Sequence, residues 1–91
     1  MQSKPTAAAC DRLRSVLSLC MKISATTKAD CFFDYSPHVN CYGVHIYRNG
    51  WEEGAHAEYV DLQSDIISEN LMVTRDKLLK IYEELKEKEN V

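Results

Sequence analysis

Three histidines (His38, His45, His56), four cysteines (Cys10, Cys20, Cys31, Cys41) and two closely spaced aspartates (Asp30, Asp34) are the side chains with chemical potential. With Asp34 and Glu58 the imidazoles supply metal-ligand types, but no helical His-x-x-x-His pair or Cys-x-x-Cys motif fixes a ligand spacing. The cysteines recur after ten, eleven and ten residues, a regularity without a ligand spacing in it. All four are expected to be reduced, as small apolar residues that are in the core or half-buried. Asp30 and Asp34 share one strand face, roughly 13 Å apart, too far for the paired carboxylates of a glycosidase. No Gly-rich phosphate loop and no Gly-x-Ser-x-Gly nucleophile occurs. A catalytic cysteine with His38 or His45 has no local signature. The expectation is a non-enzymatic chain with no metal and no cofactor.

Binding is the better-supported chemistry. In residues 30–35 one face carries Cys31, Phe33 and Tyr35 and the other Asp30, Phe32 and Asp34, the two-residue period of a half-buried strand. In residues 41–48, Tyr42, Val44 and Ile46 alternate with Gly43, His45 and Tyr47. The solvent face of such a sheet would show Asp30, Phe32, Asp34, Gly43, His45, Tyr47, Glu58 and His56. Exposed aromatics among polar groups mark a recognition surface, the alternative being ordinary cross-strand packing. Trp51, the only tryptophan, follows Asn49-Gly50 as a lid over the core edge or an anchor for a partner. The candidate protein-binding residues are Phe32, Asp34, His45, Tyr47, Trp51 and Glu58.

The elements that must position them follow from periodicity. Residues 5–26 predict a helix capped by Ser3 or Thr6, with Pro5 in its first turn and Leu13, Val16, Leu17, Cys20 and Ile23 as its stripe. The pattern fades from Ser24 to Thr27, where fraying is expected. Residues 36–40 form a turn around Pro37 and Asn40, so the two strands pair antiparallel. Asn49-Gly50 breaks the second strand. Residues 57–62 form a third strand. Ser64-Asp65 can cap a second helix, which otherwise starts near Ser68 or Asn70. Its stripe is Ile67, Leu71, Thr74, Leu78, Ile81 and Leu85, and its acidic last turn should fray. The fold class is α+β: a two-layer α-β-β-β-α domain, a three-stranded antiparallel meander with both helices on one face. Its predicted core is Leu13, Leu17, Cys20, Phe33, Tyr35, Val44, Ile46, Leu71, Leu78 and Ile81.

Ninety-one residues make one domain, and the 45% hydrophobic and 27% charged composition is that of a globular chain rather than a disordered one. No apolar run reaches a membrane span, and Met1 to Pro5 does not lead into a secretory signal, so the expected compartment is the cytoplasm. Residues 1–50 carry six Lys/Arg against three Asp, and residues 51–91 five Lys/Arg against eleven Asp/Glu. The acidic total argues against a dedicated nucleic-acid binder, leaving only a weaker reading in which the basic first helix grips DNA.

The segments Phe33-Asp34-Tyr35-Ser36-Pro37-His38-Val39-Asn40, Val44-His45-Ile46-Tyr47 and Gly50-Trp51 resemble small phage and prophage proteins of Gram-positive bacteria. The resemblance covers residues 30–62 and implies no catalytic residues. It implies an accessory factor that inhibits or modulates a host protein, with anti-CRISPR proteins a group similar in size and composition. The alternative is a sponge for a small molecule or nucleotide. A homodimer is expected from the two open sheet edges, with Leu19 as a dimer patch; against it stand Lys28, Asp30, Glu58 and Asp61, charges placed where they can protect an edge.

Overall fold

The computed structural model describes residues 4–89; Ser3, one of the two cap candidates, lies outside them. Thr6 is the N-cap of α1 (Ala7–Thr26), its hydroxyl accepting from the Ala9 N–H at 3.1 Å. The helix holds through Ser24 and Thr26 rather than fraying. The hydroxyls of Ser24, Thr26 and Thr27 turn back on the carbonyls of Cys20, Lys22 and Ile23 at 3.0, 2.7 and 2.7 Å. Ser24 also accepts the Cys31 N–H at 2.9 Å, tying the helix end to β1 (Asp30–Ser36).

β1 pairs antiparallel with β2 (Cys41–Tyr47), from Asp30 opposite Tyr47 to Ser36 opposite Cys41, without a slip. The turn between them places Asn40 at φ 53°, the left-handed region that asparagine tolerates. β3 (Glu58–Asp65) completes the sheet in the order β1-β2-β3. It runs three residues beyond the predicted end at Leu62, because Ser64 and Asp65 pair with Tyr42 and Cys41 instead of capping a helix. Two register slips explain why simple alternation misreads this strand. Leu62 and Gln63 together span Gly43, and Val60 is extra between Asp61 and Tyr59. The β3 backbone comes so close to Gly43 that an added Cβ would lie 2.7 Å from the Leu62 carbonyl oxygen.

α2 (Ser68–Glu89) continues to Glu89 instead of fraying, with Lys86 and Lys88 in its last turn offsetting the acids there. Lys86 Nζ also donates to the Thr26 carbonyl at 3.1 Å. Leu71, Thr74, Leu78, Ile81 and Leu85 are buried as the stripe predicts. Ile67 is not: it precedes the helix and is exposed, while Ile66 is buried, its N–H donating to the Asn40 carbonyl at 3.1 Å.

Both helices pack on the face of the sheet that carries Tyr42, Val44 and Ile46, giving one core. Four predicted core residues sit further out. Leu13 and Phe33 are half-buried against the core. Leu17 is 40% exposed, on the flank of α1 away from α2, and Tyr35 is 52% exposed because β1 is an edge strand. Leu19, expected as a dimer patch, packs against the core instead, because α2 lies along its side of α1.

The Gly43→Ala substitution sets a methyl against backbone rather than a flexible side chain, and a loss of about 1–3 kcal/mol is expected. A urea titration checks it through a lowered midpoint at unchanged slope. Leu78→Asp places an unpaired carboxylate at a fully buried position and is expected to abolish folding. A wild-type melting temperature for that variant would contradict the packing.

Candidate functional site

The solvent face of the sheet carries a contiguous aromatic cluster. Phe32 and His45 are cross-strand partners, and their rings stack at 4.9 Å between centroids and 5° between planes. Tyr47 meets both rings edge-on, at 5.6 Å to Phe32 and 5.9 Å to His45. Tyr59, opposite His45 on β3, closes the cluster at 5.6 Å. Each strand therefore contributes a ring to one row across the sheet. The outer members stay open to solvent, Phe32 at 41% and Tyr59 at 62%, while His45 is half-buried between them.

Two carboxylates border the rings. Asp34 Oδ2 stands 3.9 Å from His45 Nδ1, and the Asp34 side chain is largely exposed, so any attraction is weak and screened by water. Asp30 accepts the Trp51 N–H at 2.7 Å, which folds the β2–β3 connection back onto the start of β1. Gly50, at φ 90°, makes that return possible. The fold thus holds the Trp51 backbone beside the aromatic face and leaves its side chain exposed.

Glu58 does not belong to this surface. The register pairs it with Ile46, which faces the helices. Its carboxylate accepts from Arg48 Nε at 2.6 Å and Nη2 at 3.1 Å, while Arg48 Nη1 donates to Glu84 of α2 at 2.7 Å. The Arg48 guanidinium holds the Glu84 carboxyl below the usual carboxylate range. Glu58 is part of a clamp between sheet and helix. His56 is exposed in the preceding loop, lining a shallow hollow with Arg48 and Glu58. Of the six candidates, the structure brings Phe32, His45 and Tyr47 into contact, sets Asp34 beside them and exposes Trp51 near their border. Tyr59 is the member that sequence reasoning missed. Alternation that turns Glu58 outward turns Tyr59 inward, and no sequence signal marks the slip that reverses them.

Beneath the cluster, on the other side of the sheet, Tyr42, Thr74 of α2 and Asp61 Oδ2 form a triangle in which two hydroxyl protons serve three contacts. The two hydroxyls lie 2.7 Å apart, and Tyr42 and Thr74 lie 3.2 and 2.8 Å from the carboxylate oxygen. Ser64 donates to the other Asp61 oxygen. Asp61 is therefore not an edge guard, since its carboxylate is taken up under α2. The Cys20 thiol is pushed up by contact with Cys31 and by burial, the environment of an inert thiol. Among the described residues no three His, Cys, Asp or Glu side chains converge as a metal site, and no helix is long and apolar enough to cross a membrane. No family model, curated protein or solved structure matches the chain.

Burial, with the adjoining Asp61 charge, pushes the Tyr42 hydroxyl up to about 12, against the Thr74 hydrogen bond, which lowers it. The folded state thus holds this proton more tightly than the unfolded chain, whose tyrosines titrate near 10. The associated stability is complete below about pH 10 and is lost as the pH rises toward 12. The loss is of order 2–3 kcal/mol. Urea midpoints across that window are expected to fall for the wild type, and Tyr42→Phe is expected to flatten that part of the decline.

Proposed function

We propose that this chain is a non-enzymatic protein-binding module whose contact surface is the open face of its sheet. The carrying observation is the row Phe32, His45, Tyr59 with Tyr47 against it, held in register by three strands and left open to solvent. Rigid rings give contact area at low entropic cost, and aromatics at the centre of an interface supply much of its energy. Asp34 and Trp51 at the border fit the rim of such a surface, where polar groups and loop aromatics select the partner. The partner proposed is a host protein, inhibited or modulated by stoichiometric binding, as the expected kinship of residues 30–62 with phage and prophage proteins would imply.

The test is affinity capture from host lysate with the wild type and with Tyr59→Ser, a substitution at an exposed position that should leave the fold intact. One partner at near-equal stoichiometry is expected with the wild type. Its affinity for Tyr59→Ser should fall about 30-fold or more, the scale of a hot-spot residue. Equal retention by both proteins would reject the sheet face as the contact surface. Light scattering on the same pair identifies a second copy as the occupant, should the wild type alone have twice the monomer mass.

A further inference from the structure

The opposite side of the molecule carries a second surface of different chemistry. A hollow of about 380 Å³ lies between the helices, lined by Arg12, Ser15, Leu71, Met72, Arg75 and Asp76. A neighbouring hollow of about 280 Å³ shares Ser15 and Arg75 with it and adds Ser18, Leu19, Lys22 and Leu79. Together they form one groove along α1 and α2. Ser15 and Ser18 lie on the side of α1 away from its buried residues Val16, Cys20 and Ile23, so the groove opens away from the sheet.

Its charge is the reverse of the chain's. Arg12, Lys22 and Arg75 line it against one carboxylate, Asp76, in a chain whose net charge is −3. Arg14 and Arg48 are engaged with Asp11 and with Glu58 and Glu84. Arg12 and Arg75 make no ion pair or hydrogen bond among the described residues. The Ser18 hydroxyl likewise has no partner among them. Two guanidinium groups lining one hollow repel each other, and an anion seated between them turns that repulsion into attraction. Arginine's planar fork suits the oxygens of a phosphate, which can accept from two such groups at once. Both helices also line the groove with apolar side chains, Leu19 from α1 and Met72 and Leu79 from α2, and its main hollow has the size of a small-molecule site rather than of a bare ion.

We infer that the outer groove between α1 and α2 binds an organic phosphate monoester, with the phosphate between Arg12 and Arg75 and the organic part against the apolar side chains of the groove. Ser18 and Lys22 line the adjoining hollow beside Arg75, where they supply a hydroxyl donor and, with its ammonium 5.3 Å from the Tyr82 ring centroid, a positive charge at the far end of the groove. This site is independent of the sheet face, sharing no residue with it. The same headgroup chemistry occurs in free nucleotides and in phosphatidic acid, and the probes below separate the two.

The experiment is an amide and guanidinium NMR titration of the full chain. The probes are AMP, adenosine, and phosphatidylcholine vesicles with and without phosphatidic acid, all at constant ionic strength. Saturable shifts at Arg12, Ser18 and Arg75 are expected with AMP and not with adenosine, together with a higher melting temperature in AMP. Shifts or broadening only with phosphatidic acid vesicles would assign the site to a lipid headgroup. Arg12→Gln and Arg75→Gln are each expected to weaken binding about tenfold or more, as loss of a charge-assisted hydrogen bond does. Arg14→Gln, which removes a cation paired elsewhere, should leave it unchanged. Both groove arginines are exposed, so their variants should fold, and circular dichroism verifies it. The inference is overturned if no probe gives saturable shifts, or if Arg14→Gln weakens binding as much as Arg12→Gln and Arg75→Gln.

Discussion

The Asp61 carboxylate under α2 is the constraint on which the rest of the molecule depends. It accepts from Tyr42 of β2, Thr74 of α2 and Ser64 of its own strand, joining three elements through one side chain. Tyr42 and Thr74 are almost wholly buried. A half-buried carboxylate is tolerable only with such partners, and each of them fixes a position. Thr74 sets the rotation of α2, so that Leu71, Leu78, Ile81 and Leu85 face the core. Ser64 and Tyr42 fix which β3 residues lie across from β2. The Arg48 clamp to Glu58 and Glu84 connects the same elements, but its groups are substantially exposed. Exposed ion pairs contribute about 0–1 kcal/mol, and a buried donor or acceptor stripped of its partner costs about 1–3 kcal/mol. The hydroxyl–carboxylate cluster is therefore the stronger restraint, and the clamp secures the far end of α2.

The aromatic surface is a consequence of that restraint. To bring Asp61 opposite Val44 while Ser64 stays opposite Tyr42, β3 must fit two residues against Gly43 alone. Only a residue without a side chain allows that approach. A second slip at Val60 brings Tyr59 opposite His45, where it completes the ring cluster, and sends Glu58 to the helix side, where it meets Arg48. One irregular strand thus supplies both the outermost ring of the candidate site and the carboxylate of the clamp. The slips also twist β3, which makes its edge a poor template for another strand. At the other edge, the Ser24 hydroxyl occupies the Cys31 N–H, a partial cover for β1 supplied by the adjoining helix.

What was legible in the sequence follows the same division. Both helices, the first two strands and the inward set Tyr42, Val44 and Ile46 follow from uninterrupted periods of 3.6 and two residues, because regular packing imposes regular spacing. Phe32, His45 and Tyr47 were legible for that reason. The ends of α1 and α2 were not, since Ser24, Thr26 and Thr27 satisfy carbonyls through their own hydroxyls and Lys86 reaches across to Thr26. Tyr59 and Glu58 were exchanged because a slip shifts alternation by one residue, and the glycine that permits the first slip looks like any strand glycine. Leu19 was misplaced for a tertiary reason. The width of an apolar stripe depends on how many neighbours a helix has, and α1 has a second helix on one side.

The resulting molecule is two-sided. The sheet face offers rings bordered by Asp34, and the helix face offers Arg12, Lys22 and Arg75 around a groove. A small domain has little interior in which to hide functional groups, so each side of its two layers becomes a separate surface. The core between them is shared, however. Leu71 lines the floor of the groove and belongs to the same buried cluster as Val44 and Ile46, which alternate with His45 along β2. A helix displacement at the groove would be transmitted to the sheet through those contacts, because a close-packed core resists independent movement of its layers. The Asp61 cluster grips α2 at Thr74, within one turn of Leu71, so the floor of the groove and the restraint on the helix meet in the first two turns of α2, and any mechanical link between the surfaces has to work against that restraint.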